Sequence, residues 1–164
     1  MERKEIVRRG EILEIVDNYN AKYQTSIRLS KKVVAIMEAY KFRRSDVESV
    51  LYLKENYPHR SVYWIVKWRV KYGYSFEEID RILELADWWG YDVYTIRKLF
   101  DLCDRDMYIF EKLVDFIENN NLHISKKRLS GFIVYVRMNY PSIDEFLDYI
   151  ERVEYYDEYN FYEE

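Results

Sequence analysis

The chain has 164 residues, of which 49% are apolar and 34% are charged, and its formal net charge is −4. This composition excludes a disordered polypeptide, and no apolar run approaches the roughly 18–20 residues that a membrane-spanning helix requires. We therefore expect one globular domain over residues 1–156 with no membrane partner, followed by an acidic and aromatic tail at 157–164 that frays.

The first residues, MERKEIVRRGEILEIV, interrupt each apolar stretch with charges. A secretory signal needs an uninterrupted apolar segment, so we expect an intracellular, cytoplasmic protein. Cys103 is the single cysteine and permits no disulfide within the chain, which agrees with a reducing compartment.

Residue usage predicts heat tolerance. The chain has one glutamine, four glycines and two prolines but 18 tyrosines. Few labile amides and many charged and aromatic residues are typical of heat-tolerant proteins. A low-GC genome favours part of the same bias, and we predict a source in a thermophilic archaeon or one of its viruses or plasmids.

Apolar residues recur at three- and four-residue spacing along most of the chain, which predicts an all-α fold built as a compact bundle of about nine short helices. S-x-x-E capping boxes at Ser45, Ser75 and Ser142 mark helix starts, and Gly73 marks a helix end. Residues 18–29 are the candidate for a longer connection. The predicted helices cover residues 3–17, 31–41, 45–56, 61–72, 75–88, 92–102, 105–119, 125–139 and 142–156.

Two segments also fit a strand. Apolar residues alternate in 61–71 and again in 131–139, so the two segments have the pattern of a small two-stranded ribbon. We prefer a helix for both, because Gly73 followed by the Ser75 capping box reads as a helix stop and a helix start.

Helix starts recur about every thirty residues, at Ser45, Ser75 and Asp104. Such a period indicates either an array of helical hairpins or a simple antiparallel bundle. Residue identity between the units is poor, so we favour the bundle.

The segment SVYWIVKWRVKYGYS at 61–75 interleaves aromatic and basic residues, as a helix that grips nucleic acid would. On a helical wheel its valines lie in a broad apolar arc with Trp64 at the border, and Lys67 and Lys71 form a narrow polar stripe. Arg69 falls inside the arc and needs a carboxylate or a path to the surface. We expect a core helix with two lysines able to touch a phosphate backbone, and no base-stacking platform.

Charge is unevenly distributed. Residues 21–72 carry twelve Lys and Arg against four Asp and Glu, whereas residues 73–164 have a balance of −11. A basic part of this kind can bind DNA or RNA through phosphate contacts and counterion release. The candidate residues for these contacts, densest in the turn at 41–44, are Lys31, Lys32, Lys41, Arg43, Arg44, Arg60, Lys67 and Lys71.

The same charge layout has two other interpretations. The cations form ordinary solvated faces that are salt-bridged to the acidic part at 73–156, or complementary ends of two copies dock head to tail into an open assembly.

Two sharper hypotheses concern nucleic acid. Residues 31–56 have the spacing of a helix-turn-helix, but Asp46 and Glu48 at the start of its second helix would repel phosphates, so we expect no sequence-specific readout. The tail EYYDEYNFYEE at 154–164 has charge that imitates a nucleic-acid strand, and deletion of residues 155–164 would then strengthen binding. Continuation of the last helix is the interpretation we favour for this tail.

Signatures of catalysis are missing from the sequence, which has neither a G-x-x-x-x-G-K-S/T nor a G-x-G-x-x-G motif. His59 and His123 both follow turn residues, so we expect them at the surface. We expect Cys103 to be buried, and Asp104 and Asp106 fit helix ends and caps better than a cation site. These features predict a protein that is not an enzyme and that uses no cofactor or metal.

The sequence thus predicts a thermostable all-α interaction protein. A protein partner or a second copy of the chain comes first, because Tyr and Trp are favoured at interfaces. The alternative is weakly sequence-specific nucleic-acid binding through the basic part at 21–72. Salt separates the two, since phosphate binding weakens steeply as salt rises and an apolar interface does not.

Overall fold

The computed structural model describes residues 6–90, 92–119 and 126–152, with the backbone alone at 126–130. The chain divides into two compact units, unit 1 (Met1–Leu83) and unit 2 (Glu84–Glu164). The described residues form nine α-helices and no strand, which confirms the predicted all-α fold. None of these helices is long and apolar enough to cross a membrane. The single domain over 1–156 and the helical-hairpin repeats stay predictions.

Unit 1 is built around an apolar core to which all of its helices contribute. The helices are α1 (Arg9–Tyr23), α2 (Lys31–Ala39), α3 (Arg44–Asn56), α4 (Val62–Lys71) and α5 (Phe76–Trp89), which ends in unit 2. α1 packs on α3 and α2, and α4 packs on α2 and α3. The fully buried side chains include Ile12, Met37, Leu51 and Val66.

The first helix lies later in the chain than predicted. α1 runs from Arg9 to Tyr23, so the predicted bounds 3–17 and the long connection 18–29 are wrong. The reason is Asn20, whose Oδ1 accepts from the Ile27 N–H at 3.0 Å and whose Nδ2 donates to the Ile27 carbonyl at 2.9 Å. This pair of hydrogen bonds closes a short loop directly after the helix.

α3 starts one residue before the predicted position because a different carboxylate caps it. The N–H of Arg43 donates to Asp46 Oδ2 at 2.9 Å, whereas the prediction placed the cap at Ser45 with Glu48 accepting from the Ser45 N–H. Ser45 lies inside the first turn, where its carbonyl accepts from the Ser49 hydroxyl at 2.9 Å. The predicted Ser45 capping box is therefore wrong.

α4 is helical, as is the segment at 131–139, so the helix is confirmed for both and the two-stranded ribbon is wrong. Gly73 ends the helix in the left-handed conformation, with φ of 70°. The Trp68 carbonyl then accepts from the Tyr72 N–H at 3.2 Å and from the Tyr74 N–H at 3.4 Å, so the chain turns back over the last turn of α4.

The turn between α4 and α5 supplies the contact partners of the Arg69 guanidinium. Its Nη1 donates to the Tyr74 carbonyl at 3.3 Å, and its guanidinium lies 5.4 Å from the Phe76 ring centre. The carbonyl and the ring fill the place that the sequence assigned to a carboxylate or a path to water. Arg69 is half-buried there.

α5 begins with the predicted capping box. The Ser75 N–H donates to Glu78 Oε1 at 2.9 Å, and the Glu78 N–H donates to Ser75 Oγ at 3.1 Å. The Tyr57 hydroxyl, at the end of α3, donates to Asp80 Oδ1 at 2.7 Å and ties α5 to the rest of unit 1. Both contacts stay within unit 1.

Unit 2 contains α6 (Val93–Leu102), α7 (Met107–Asn119), α8 (Lys126–Asn139) and a ninth helix, α9, over 143–152. α6 packs on α7 and α8. Aromatic rings make much of the core: Phe100 lies 5.1 Å from Phe110, and Phe146 lies 5.4 Å from Phe132 and 5.1 Å from Tyr140. Tyr140 also lies 6.2 Å from Tyr135 and 5.8 Å from Tyr149, so some of the tyrosines of the chain form an aromatic cluster here.

Helix starts in unit 2 follow their predicted chemistry. Asp106 Oδ1 accepts from the Tyr108 N–H at 2.9 Å, so Asp106 caps α7. The predicted start at 105, after Asp104, is wrong, because Asp104 is in the left-handed conformation with φ of 54° and α7 begins at Met107. Ser142 Oγ accepts from the Glu145 N–H at 3.2 Å at the start of α9. The predicted end of that helix at 156, the tail 157–164 and His123 lie outside the described residues.

The capping assignment of α3 is testable by paired substitutions. We expect Asp46→Ala to lower the free energy of unfolding by roughly 0.5–1 kcal/mol, because it removes both the cap and a favourable carboxylate at the helix N-terminus. Ser45→Ala is the matched control and should leave stability unchanged or slightly raised, since alanine is the better helix former. Urea denaturation measures both, and an equal loss in the two variants would restore the Ser45 assignment.

Candidate functional site

The eight predicted cations all lie in unit 1, and the structure separates them into groups. Lys31 and Lys32 lie in the first turn of α2, close to α4, which carries Lys67 and Lys71. The cations of the 41–44 turn lie at the other end of α2, whose nine residues extend about 13 Å. The predicted site is therefore not one continuous patch.

Contacts between α2 and α4 create a surface of lysines and aromatic rings. The Lys32 ammonium lies 4.5 Å from the centre of the Tyr63 ring, and the Lys67 ammonium lies 5.8 Å from the same ring. Lys67 is also 4.6 Å from the Trp64 ring, which meets Tyr63 edge-on at 5.6 Å. We call this the lysine–aromatic surface, and its members are Lys31, Lys32, Tyr63, Trp64, Lys67 and Lys71.

Trp64 is the residue that sequence reasoning left undecided. It is 51% exposed, whereas Trp68 on the same helix is 5% exposed and belongs to the core. Trp64, Lys67 and Lys71 fall within about 60° of one another around the helix axis. The expectation of a mainly buried helix thus holds for its valines and Trp68, and Trp64 joins the lysine side. The position of Trp64 at the border of the apolar arc was the feature of the sequence that indicated its exposure.

Most of the predicted cations are not ion-paired within unit 1. In this unit no described carboxylate forms an ion pair with six of them, namely Lys31, Lys32, Lys41, Arg44, Lys67 and Lys71. Lys32 and Lys67 contact aromatic rings, and Lys71 lies 5.5 Å from the Tyr72 ring. A ring holds an ammonium group without neutralising it, so the lysine–aromatic surface keeps its positive charge.

The first turn of α2 adds to this positive potential. It contains Lys31 and Lys32 and no acidic residue, and its cap is the neutral Ser30 hydroxyl, which accepts from the Val33 N–H at 3.2 Å. A helix N-terminus already carries partial positive charge, so lysines there cost stability and a bound anion restores it. This turn is suited to binding an anion.

The 41–44 turn has a different environment. Arg44 lines a groove of about 660 Å³ between α1 and α3, which Lys22 also lines. Glu48 and Glu55 contribute negative charge to the same groove. The Tyr19 hydroxyl donates to the Glu55 carboxylate, and burial together with this bond raises the pKa of Tyr19. The groove is mixed in charge and fits phosphates less well than the lysine–aromatic surface.

The remaining predicted cations are tied to the local backbone. Arg43 forms an isolated antiparallel bridge with Ile6 and occupies the N-cap of α3. Arg60 is half-buried after α3, and its carbonyl accepts from Lys54 Nζ at 2.9 Å. Lys41 is exposed in the left-handed conformation, with φ of 56°.

The residues considered for catalysis take structural or surface positions. His59 is exposed and Cys103 is buried, as predicted. Burial, with the carboxylates of Asp104 and Asp106, raises the pKa of Cys103 to about 12, so the thiol is protonated at neutral pH. Among the described residues, no group of three or more His, Cys, Asp or Glu side chains is placed to hold a metal ion.

Comparison with known proteins gives no relative from which a role for the lysine–aromatic surface could be taken. No protein-family model, curated protein or solved structure matches this chain.

The Cys103 thiol gives a pH-dependent test of the unit 2 core. Its pKa rises from the ordinary 9.0 to about 12 in the folded state, so folding holds the proton more tightly. The contribution to stability is complete below pH 9 and is lost as pH rises toward 12. We expect iodoacetamide to alkylate the folded protein far more slowly than the urea-unfolded protein, and Cys103→Ala to flatten this part of the stability profile. Rapid alkylation of the folded protein would contradict the buried position.

Proposed function

We propose that this protein is a non-enzymatic nucleic-acid-binding protein whose lysine–aromatic surface contacts backbone phosphates. The observation that carries the proposal is the contact of Lys32 and Lys67, from α2 and α4, with the rings of Tyr63 and Trp64. Lys31 and Lys71 lie on the same two helices, and none of the four lysines is ion-paired to a described carboxylate of unit 1. Each phosphate that a lysine neutralises releases condensed counterions, which supplies affinity without sequence information.

Little sequence preference follows from the chemistry of the surface. Lysine presents a compact point charge, and the lysine–aromatic surface offers no arginine, asparagine or glutamine side chain with paired groups for reading a base edge. The second helix of the considered helix-turn-helix, α3, carries Asp46 in its first turn, where its carboxylate is engaged in the cap. Both features favour contact with the backbone.

Protein association, which the sequence placed first, becomes the second candidate. The observation that favours it lies on α8, where Val134, Tyr135 and Met138 are exposed, Met138 to 80%. Apolar side chains grouped on a helix surface are typical of contacts with another protein, including a second copy of the chain. Heat tolerance, a cytoplasmic location and an origin in a thermophilic archaeon, virus or plasmid stay proposals from composition.

Salt dependence tests the proposed function. We expect log affinity for generic DNA and RNA to fall linearly with log salt, with a slope of about −3 for four phosphate contacts. Charge reversal at Lys32 and Lys71 (Lys32→Glu with Lys71→Glu) should lower affinity at low salt and make the slope shallower by about 2. The measurement is a fluorescence anisotropy titration at several salt concentrations.

A matched control comes from the other end of α2. Lys41→Glu with Arg44→Glu changes the net charge by the same amount at exposed residues of unit 1, and we expect a smaller loss of affinity. Light scattering on the same samples reports the oligomeric state. A wild-type protein that binds no nucleic acid at low salt and forms a defined oligomer would replace the proposed function with the second candidate.

Substitution of Lys31 distinguishes a binding role from a structural role. If Lys31 binds nucleic acid, Lys31→Glu changes stability and affinity in opposite directions. Lys31→Glu places a carboxylate in the first turn of α2, and we expect the free energy of unfolding to rise by about 0.3–1 kcal/mol. The same change should weaken nucleic-acid binding, since it removes one cation and adds an anion. Lys31→Gln should fall between the two in both measurements. A parallel loss of stability and binding would show that Lys31 supports the fold.

A further inference from the structure

The indole of Trp64 is exposed at the surface of unit 1 and is not part of its core. Trp68 of the same helix is buried in the core, whereas Trp64 is 51% exposed, meets the Tyr63 ring in an edge-to-face contact and lies under the ammonium of Lys67. The indole is therefore accessible to a ligand, and it lies beside the Lys67 cation.

We propose that the lysine–aromatic surface binds single-stranded nucleic acid, with one base stacked on the indole of Trp64 and neighbouring phosphates on Lys67, Lys71 and Lys32. This inference rests on the proposed function and adds the class of nucleic acid. It departs from the expectation that the segment at 61–75 offers no base-stacking platform, because Trp64 is exposed. Bases of a duplex are already stacked and paired, whereas an unpaired base offers its face to an aromatic side chain.

The spacing of the surface fits a strand that contacts both parts. Lys67 and Lys71 are one helical turn apart on α4, about 5–6 Å between their Cβ atoms. The Lys67 ammonium is 4.6 Å from the Trp64 ring, and Lys32 approaches from α2 over Tyr63. A base on Trp64 therefore has cations on more than one side for its own phosphate and for the next one.

Lys67 links the two contacts. In the free protein its ammonium lies over the indole, and a cation–π contact at an exposed site is weak. A phosphate attracts the same ammonium more strongly because it carries a full charge. Phosphate binding then draws Lys67 away from the ring and opens the ring to a base, so stacking follows from backbone contact.

The test compares single strands with duplexes. The probes are oligothymidylate and oligouridylate of about twelve nucleotides, and a duplex of the same length, at one fixed salt concentration. We expect Trp64→Leu to weaken single-strand binding roughly tenfold and to leave duplex binding within about twofold. Trp64→Phe keeps an aromatic face and should recover most of the affinity. Quenching of tryptophan fluorescence by the single strand should be present in the wild type and largely lost in Trp64→Leu.

Trp88 is the matched control, because it is 78% exposed and lies in unit 2. Trp88→Leu should bind both probes as the wild type does. Wild-type single-strand affinity in Trp64→Leu, or an equal loss on single strand and duplex, would overturn the stacking role. If the Lys32 and Lys71 charge reversal still weakens binding in that case, the proposed function stands without it. Absence of any wild-type binding at low salt overturns both.

Discussion

Burial of one face of α4 is the constraint on which the surface of unit 1 depends. Val62, Ile65 and Val66 are buried, and α4 packs against α2 and α3. The angle between residues in an α-helix is fixed, so this packing leaves Trp64 and Lys71 on the opposite side. Packing of α2 on the same helix brings Lys32 to the Tyr63 ring. The core thus determines which cations meet which rings, because Tyr63 packs against it while the lysines lie outside it.

The lysine–aromatic surface has an arrangement that stability alone does not favour. Two lysines lie at a helix N-terminus, where the macrodipole is unfavourable for them, and a tryptophan is half exposed. Carboxylate partners would have provided ion pairs of up to about 1 kcal/mol each, but they would also have cancelled the charge. Cation–π contacts of similar strength position the ammonium groups and leave the charge available. A surface with these properties is well suited to polyanions.

The two units differ in charge as well as in sequence. Unit 1 carries 17 Lys and Arg against 12 Asp and Glu, whereas unit 2 carries 9 against 18. The net charge of unit 1 is therefore positive and that of unit 2 is negative, which agrees with the proposal that nucleic acid binds to unit 1. The exposed apolar side chains of α8 lie in the acidic unit, so the two candidate functions belong to different parts of the chain. Substitutions in unit 1 therefore test nucleic-acid binding, and substitutions on α8 in unit 2 test protein association separately.

Local chemistry in the sequence determined the all-α fold, the Ser75 capping box, the Gly73 stop and the cap at Asp106, because each depends on residues within a few positions. Local chemistry was ambiguous at α3, where Asp46 and Glu48 each follow a candidate start by three residues, and at α1, where the loop bonds of Asn20 set the end. Only tertiary structure decided the site. Whether Trp64 is core or surface depends on which side of α4 meets α2 and α3. The division of the eight cations depends on the length of α2 and on the approach of Lys32 to Tyr63, residues that are far apart in the chain and adjacent only after folding.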